Sequence, residues 1–253
     1  IEFQGFNIPL SEARERTDEA IDIMRLAWTK DHFSYKGKWT QFENLNVLPK
    51  PIQKPHPPIW TASVSPETIG HYAKKGIPFI TDPLATFGRC KRASDEWKRL
   101  AAENGHDVSD PNFGTLRGLV IGETHKEAWD IAEKAHMSQR DTNLINLQSA
   151  PIEKTGEFAA GYYFWKDRYL GKNQELTTEF FWERMWLAGT PDRIVQTVKN
   201  LEEMGFRHIL FTLGHAPQVS MEENKRRLKL FAEGVMPHFK KKAQPQVVAK
   251  AKK

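Results

Sequence analysis

Apolar residues recur three and four positions apart in several stretches of the chain, and short apolar runs separate most of those stretches. Each spacing points to a different element. Ala13, Ala20, Ile21, Met24, Ala27 and Trp28 define one face of a first helix, with Ser11 placed to cap it after Pro9. The stretch "HFSYKGKWTQFENLNVLPKPIQKPHPP" follows, and its prolines at 49, 51, 55, 57 and 58 forbid a helix and favour an extended, irregular path. From Pro58 an alternation sets in. "PIWTAS" reads as a strand, residues 66–75 as a helix that Gly76 ends, and "IPFIT" as a second strand. Residues 89–104 read as a helix burying Trp97, Leu100 and Ala101, "FGTLRGLVIGET" as a third strand, and "KEAWDIAEKAHM" as a further helix.

Residues 138–188 break this rhythm with a cluster of aromatics (Tyr162, Tyr163, Phe164, Trp165, Tyr169, Phe180, Phe181, Trp182 and Trp186), which suits a partly helical insertion closing over something. The alternation resumes at Thr190, which caps a helix over 191–204 with Ile194, Val195, Val198 and Leu201 inward. "HILFTLG" is then a fourth strand, and residues 221–232 form a last helix. Strands alternating with helices of this length imply a parallel sheet, because parallel neighbours need a crossover. The pattern fits half of an eight-stranded barrel or a small doubly wound sheet equally well.

Composition narrows the function classes. With 39% apolar and 27% charged residues, the chain is of globular type. No run approaches the roughly 18 apolar residues a membrane span needs. The formal charge of +5 is local: six lysines lie in residues 240–253, and without them the remainder carries −1. That Lys-rich segment is expected to be a disordered, solvated tail, so neither nucleic acid nor membrane is an expected partner. Cys90 is the only cysteine, which excludes an internal disulfide and fits a reducing, cytoplasmic setting. The nine histidines have no metal-ligand spacing, so no metal is expected, and Gly-x-Gly-x-x-Gly, P-loop and Gly-x-Ser-x-Gly motifs are absent.

"ASVSPETIGHYAKKGIPF" offers the clearest candidate chemistry. Ser65 is an N-cap, Pro66 sits at the first helical position, and Thr68 follows two residues on. The first amides of a helix lack intrahelical partners, and its dipole favours an anion there, so this turn is a workable phosphate cradle as well as a cap. "AGTPDR", with Thr190 before Pro191, has the same form. Asp82 reads as a loop cap at a strand end, and Cys90 as a structural thiol at a helix start.

Taken together, "EFQGFNIPLSEARERTDEAIDIMRLAW", "FSYKGKWTQFENLNVLPKPIQKPHPPIW", "ASVSPETIGHYAKKGIPF", "LAGTPDRIVQTVKNLEEMGFRHILF" and "FAEGVMPHF" resemble the luciferase-like flavin monooxygenase family. The resemblance implies a (β/α)8 TIM-barrel type of fold. The chain starts after the family's fourth strand, so residues 1–239 form the second half of a barrel with an insertion at about 138–188, and 240–253 form the tail. It implies reduced FMN and dioxygen as co-reactants, a small organic substrate, a flavin reductase as supplier, and a homo- or hetero-oligomer that closes the open sheet. It places the flavin phosphate on Ser63, Val64, Ser65 and Thr68, and leaves the catalytic residues unassigned. Thr212 and Gly214, after the last strand, line the pocket by position. A deazaflavin enzyme of the same fold, transferring hydride without oxygen, and a non-catalytic flavin- or phosphate-binding subunit or fragment stand as alternatives.

Overall fold

The computed structural model describes residues 5–63, 65–148, 176–213 and 219–239. The chain divides into two compact units, the first spanning residues 1–59 and 149–159 and the second 60–148 and 160–253.

In the first unit a 3-10 turn, Leu10–Glu12, leads into helix α1, Ala13–Thr29. Ser11 therefore lies inside the turn and caps nothing. Glu12 N–H donates to Pro9 O at 3.0 Å, and Glu12 occupies the cap position without a side-chain cap bond. The aromatic stretch expected to be irregular is instead an antiparallel hairpin of β1, Phe33–Lys36, and β2, Gln41–Leu45. Its turn is held from α1. The carboxylate of Glu19 accepts from the amides of Lys38 (2.8 Å), Trp39 (3.3 Å) and Thr40 (2.8 Å). Gly37 is required beside it, because a Cβ there would stand 2.4 Å from the Glu19 carboxyl carbon. The proline-rich residues after β2 form no regular element, as their fixed φ predicts.

The second unit contains β3 (Thr61–Ala62), α2 (Pro66–Ala73), β4 (Phe79–Thr81), α3 (Phe87–Glu103), β5 (Phe113–Ile121) and α4 (His125–Gln148). After residue 176 come α5 (Thr178–Arg184), β6 (Leu187–Gly189), α6 (Pro191–Glu203), β7 (Phe206–Thr212) and α7 (Met221–Gly234). Every strand pairing is parallel: β3 with β4, β4 with β5, and β5 with both β6 and β7. The four predicted strands are present as β3, β4, β5 and β7. At the end of the segment 138–188, helix α5 fits a partly helical segment while β6 was not foreseen, and α4 extends into that segment's start; its residues 149–175, with most of the aromatics, lie outside the described residues, as does the tail from 240.

β5 is buried along almost its whole length. Phe113, Leu119 and Ile121 face the helices, in a core with Phe79, Trp97, Ile194, Leu201 and Phe206. Phe79 and Trp97 hold Phe113 at ring separations of 4.3 and 5.1 Å. The other face carries Gly114 and Gly118, where a Cβ would meet Ile80 and, at 2.8 Å, Trp186. A second core joins Val120 to Ala128, Ile131 and Ala132 of α4 and to Phe181, Trp182 and Trp186. The sheet is strongly curled. Trp60, just before β3, meets His208 of β7 in a tilted ring contact at 4.8 Å, although a flat sheet would hold those strands roughly 14 Å apart. Among the described residues, the outer edges of β3 and β7 pair with no further strand. No helix among them is long and apolar enough to cross a membrane.

Candidate functional site

The C-terminal ends of parallel strands are where ligands collect in such sheets, and the predicted cradle lies there, between β3 and α2. Ser65 is the N-cap of α2, in extended backbone (φ −75, ψ 135) with Pro66 next. Its Oγ accepts from Thr68 N–H at 3.3 Å and donates to Thr68 Oγ1 at 2.9 Å. Ser63 Oγ accepts from Ser65 N–H at 3.1 Å and lies 3.5 Å from Ser65 Oγ. Three hydroxyls are thus gathered on one helix start, bonded to one another, and each can rotate its proton toward an anion. Glu67, the only acid in that turn, is exposed and makes no ion pair or hydrogen bond among the described residues. The hydroxyl cluster fits a phosphate group. Val64 and Gly214 lie outside the described residues.

The other sequence candidates resolve differently. Thr190 occupies the cap of α6, but its side chain makes no cap bond. Asp82 is a loop cap, accepting from Leu84 N–H at 2.7 Å. Cys90 is fully buried in α3, with its Sγ 2.6 Å from Nη2 of Arg117. Thr212 ends β7 with its Oγ1 buried and without a partner. No group of His, Cys, Asp or Glu among the described residues could hold a metal ion.

Two features escaped the sequence reading. Arg117 is fully buried in β5, donating from Nη1 to the carbonyls of Ala85 and Met185 and stacking over Phe87 at 5.0 Å. It fastens the β4–α3 loop and the α5–β6 junction to the central strand. A cation within the apolar run "FGTLRGLVI" was the available signal. The second is an ion network at the starts of α4 and α7. Arg226 binds Glu223, Glu123 and Glu127, while Arg227 Nε binds Glu223 at 3.0 Å. Hydrogen bonds from Arg226, opposed by burial and reinforced by Arg227, hold the Glu223 carboxyl down at about 2.

The model of the luciferase-like monooxygenase family matches residues 1–208. The chain belongs to that family. Among its relatives, the FMNH(2)-dependent dimethylsulfone monooxygenase of Pseudomonas putida is 25% identical over 213 residues, 83% of this chain and 56% of that protein. Several solved structures share the fold. Monooxygenase RslO1 from Streptomyces bottropensis superposes with a TM-score of 0.68 at 21% identity, over 94% of this chain and 65% of its own. The coenzyme F420 dependent tetrahydromethanopterin reductase from Methanopyrus kandleri superposes at 0.61 and 15%, over 92% and 65%. The chain therefore spans between 56% and 65% of these proteins' lengths. Within the family's TIM-barrel fold, the curled sheet from β3 to β7 is an arc of the barrel, and α2 starts on its C-terminal face.

Proposed function

We propose that this chain acts in a flavin-dependent monooxygenase that uses reduced FMN and dioxygen to oxygenate a small organic substrate. Ser63, Val64, Ser65 and Thr68 hold the flavin phosphate. The observation that carries this reading is the gathering of three hydroxyls at the start of α2, at the C-terminal end of a parallel strand, in a chain of this family. Bound reduced FMN would supply the electrons for oxygen activation. The chain's own part is to fix the phosphate end through hydroxyl donors and the helix dipole, and to exclude water from the strand mouth, where Trp186 packs over Gly118.

Because the cofactor must arrive reduced, a flavin reductase is the expected supplier. The open edges of β3 and β7 make pairing with a second copy or another chain the expected assembly. The likeness to an F420-dependent enzyme favours deazaflavin as the second reading.

Anaerobic equilibrium dialysis against reduced FMN, reduced riboflavin and reduced F420 tests the proposal. Binding of FMN well above riboflavin supports it. Preference for F420 moves the chain to the hydride-transfer reading, and equal binding of FMN and riboflavin removes the phosphate from the cradle.

A further inference from the structure

The cleft between the first turns of α4 and α7 encloses about 720 Å³, within the roughly 300–1,000 Å³ of small-molecule sites. None of its lining residues belongs to the hydroxyl cluster at α2. Most of its charges are occupied. Arg226 binds three glutamates and ties α7 to α4, and Lys126 is paired with Asp130 at 2.7 Å. Glu223 is saturated: its Oε1 accepts from Arg226 Nη2 and Arg227 Nε, and its Oε2 from Arg226 Nε.

What is left over is specific. Arg227 is only 5% exposed, yet its Nη1 and Nη2 have no partner among the described residues. The ion pair through Nε to Glu223 accounts for its charge, and the two terminal nitrogens are the donors it has left to give. Lys134, on the same cleft, also has no partner among the described residues.

We propose that this cleft is a binding site for a small organic carboxylate, whose two oxygens take Nη1 and Nη2 of Arg227. The planar guanidinium end presents two parallel donors, the arrangement that matches a carboxylate. A phosphate is disfavoured by charge. The lining holds Lys126, Lys134, Arg226 and Arg227 against Glu127, Asp130 and Glu223, four cations minus three anions, or +1. Glu123 adds a further anion on Arg226 from outside that lining. With it the cleft is neutral, so a monoanion is held by the free donors of Arg227 and Lys134 and not by net charge, whereas a dianion meets uncompensated repulsion from the carboxylates. Ile131 and Val219 supply apolar wall for the organic body. The cleft shares no lining residue with the hydroxyl cluster at α2, so the two sites can be tested separately.

Isothermal titration calorimetry of the full chain with benzoate tests this, with benzamide as the uncharged match. Saturable binding of benzoate and none of benzamide is expected. Arg227→Lys keeps a charge beside Glu223 but loses the two-donor end, and weakens benzoate by about tenfold, the worth of one charge-assisted hydrogen bond. Lys134→Ala, at an exposed position, weakens it about threefold, as expected for a partly screened charge. No benzoate binding up to about 10 mM, where even a millimolar site is nearly filled, overturns the proposal. So does equal affinity for benzamide, or unchanged affinity in Arg227→Lys. Should Arg227→Lys fail to fold, unchanged affinity in Lys134→Ala overturns it. Ser65→Ala leaves benzoate binding as it is, so failure here and failure of the flavin reading are told apart.

Discussion

Ser65 and Thr68 allow the two duties of the α2 start, capping and phosphate binding, to be separated. Ser65 Oγ accepts from Thr68 N–H at 3.3 Å, so Ser65→Ala removes a helix cap, at a cost of about 1 kcal/mol. Thr68→Ala removes only a hydroxyl that accepts from Ser65, and leaves the cap bond in place. The stability losses should therefore be unequal, with Ser65→Ala the larger. The expected losses in flavin affinity are similar, because each variant deletes one donor to a charged group. Such a bond is worth about 1.5–3 kcal/mol, or roughly 10- to 150-fold. Riboflavin, without phosphate, should bind both variants as it binds the parent. Urea unfolding and anaerobic dialysis with both reduced flavins give the two quantities. Equal loss of FMN and riboflavin would refute the reasoning, since it would mean that the turn shapes the pocket without touching phosphate. Unchanged FMN affinity in Thr68→Ala, with stability lost only in Ser65→Ala, would reduce Ser-Pro-Glu-Thr to a cap.

Three further predictions concern the framework. Burial alone would raise the Glu19 carboxyl, but the amide donors of Trp39, Lys38 and Thr40 outweigh it and lower it below its ordinary value. A depressed carboxyl contributes stability above its unfolded pKa and loses it as the pH falls through the folded one. Urea midpoints should therefore show Glu19→Gln less stable at pH 7 and the gap closing toward acid; a gap that persists at low pH would contradict this. Arg117→Met leaves the carbonyls of Ala85 and Met185 without their buried donor and should cost about 2 kcal/mol, even after relief of the buried charge, with thermal unfolding as the check; an unchanged or raised Tm would deny its role as a fastener. Gly118→Ala drives a Cβ to 2.8 Å from Trp186, so it should cost about 1–3 kcal/mol and shift the tryptophan emission; an unperturbed spectrum and midpoint would show that the indole can move freely.

The parts legible in the sequence are those whose partners are near in sequence or whose period is long enough to count. β5, β7 and the helices carry their pattern over their whole length, β4 is set off by the Gly76 helix stop, and Ser65 caps an amide three residues away. The hairpin was hidden because its turn, "GKWT", has no favoured turn dipeptide. Its amides are satisfied by Glu19, 19 to 21 positions earlier. β6 is three residues long, like β4, but it follows the aromatic segment directly, without a helix stop such as the Gly76 that sets off "IPFIT". Arg117 was visible as a misplaced charge, but Cys90 and Met185, which make it tolerable, lie 27 and 68 residues away.

The cleft at α7 is the hardest case. "ENKRRLKLF" lies in the last predicted helix, and nothing in the run itself distinguishes Arg226, which is 39% exposed, from its neighbour. Arg227, one position on, is 5% exposed. Successive residues on a helix point about 100° apart, so adjacent arginines need not share an environment. One stands at the rim, where glutamates from two helices can reach it, and the other turns under α7 with a single nitrogen paired. A run of like charges thus sets a helix's mean polarity without revealing which member lies beneath it. That buried member, short of hydrogen-bond partners, is where a ligand has most to gain.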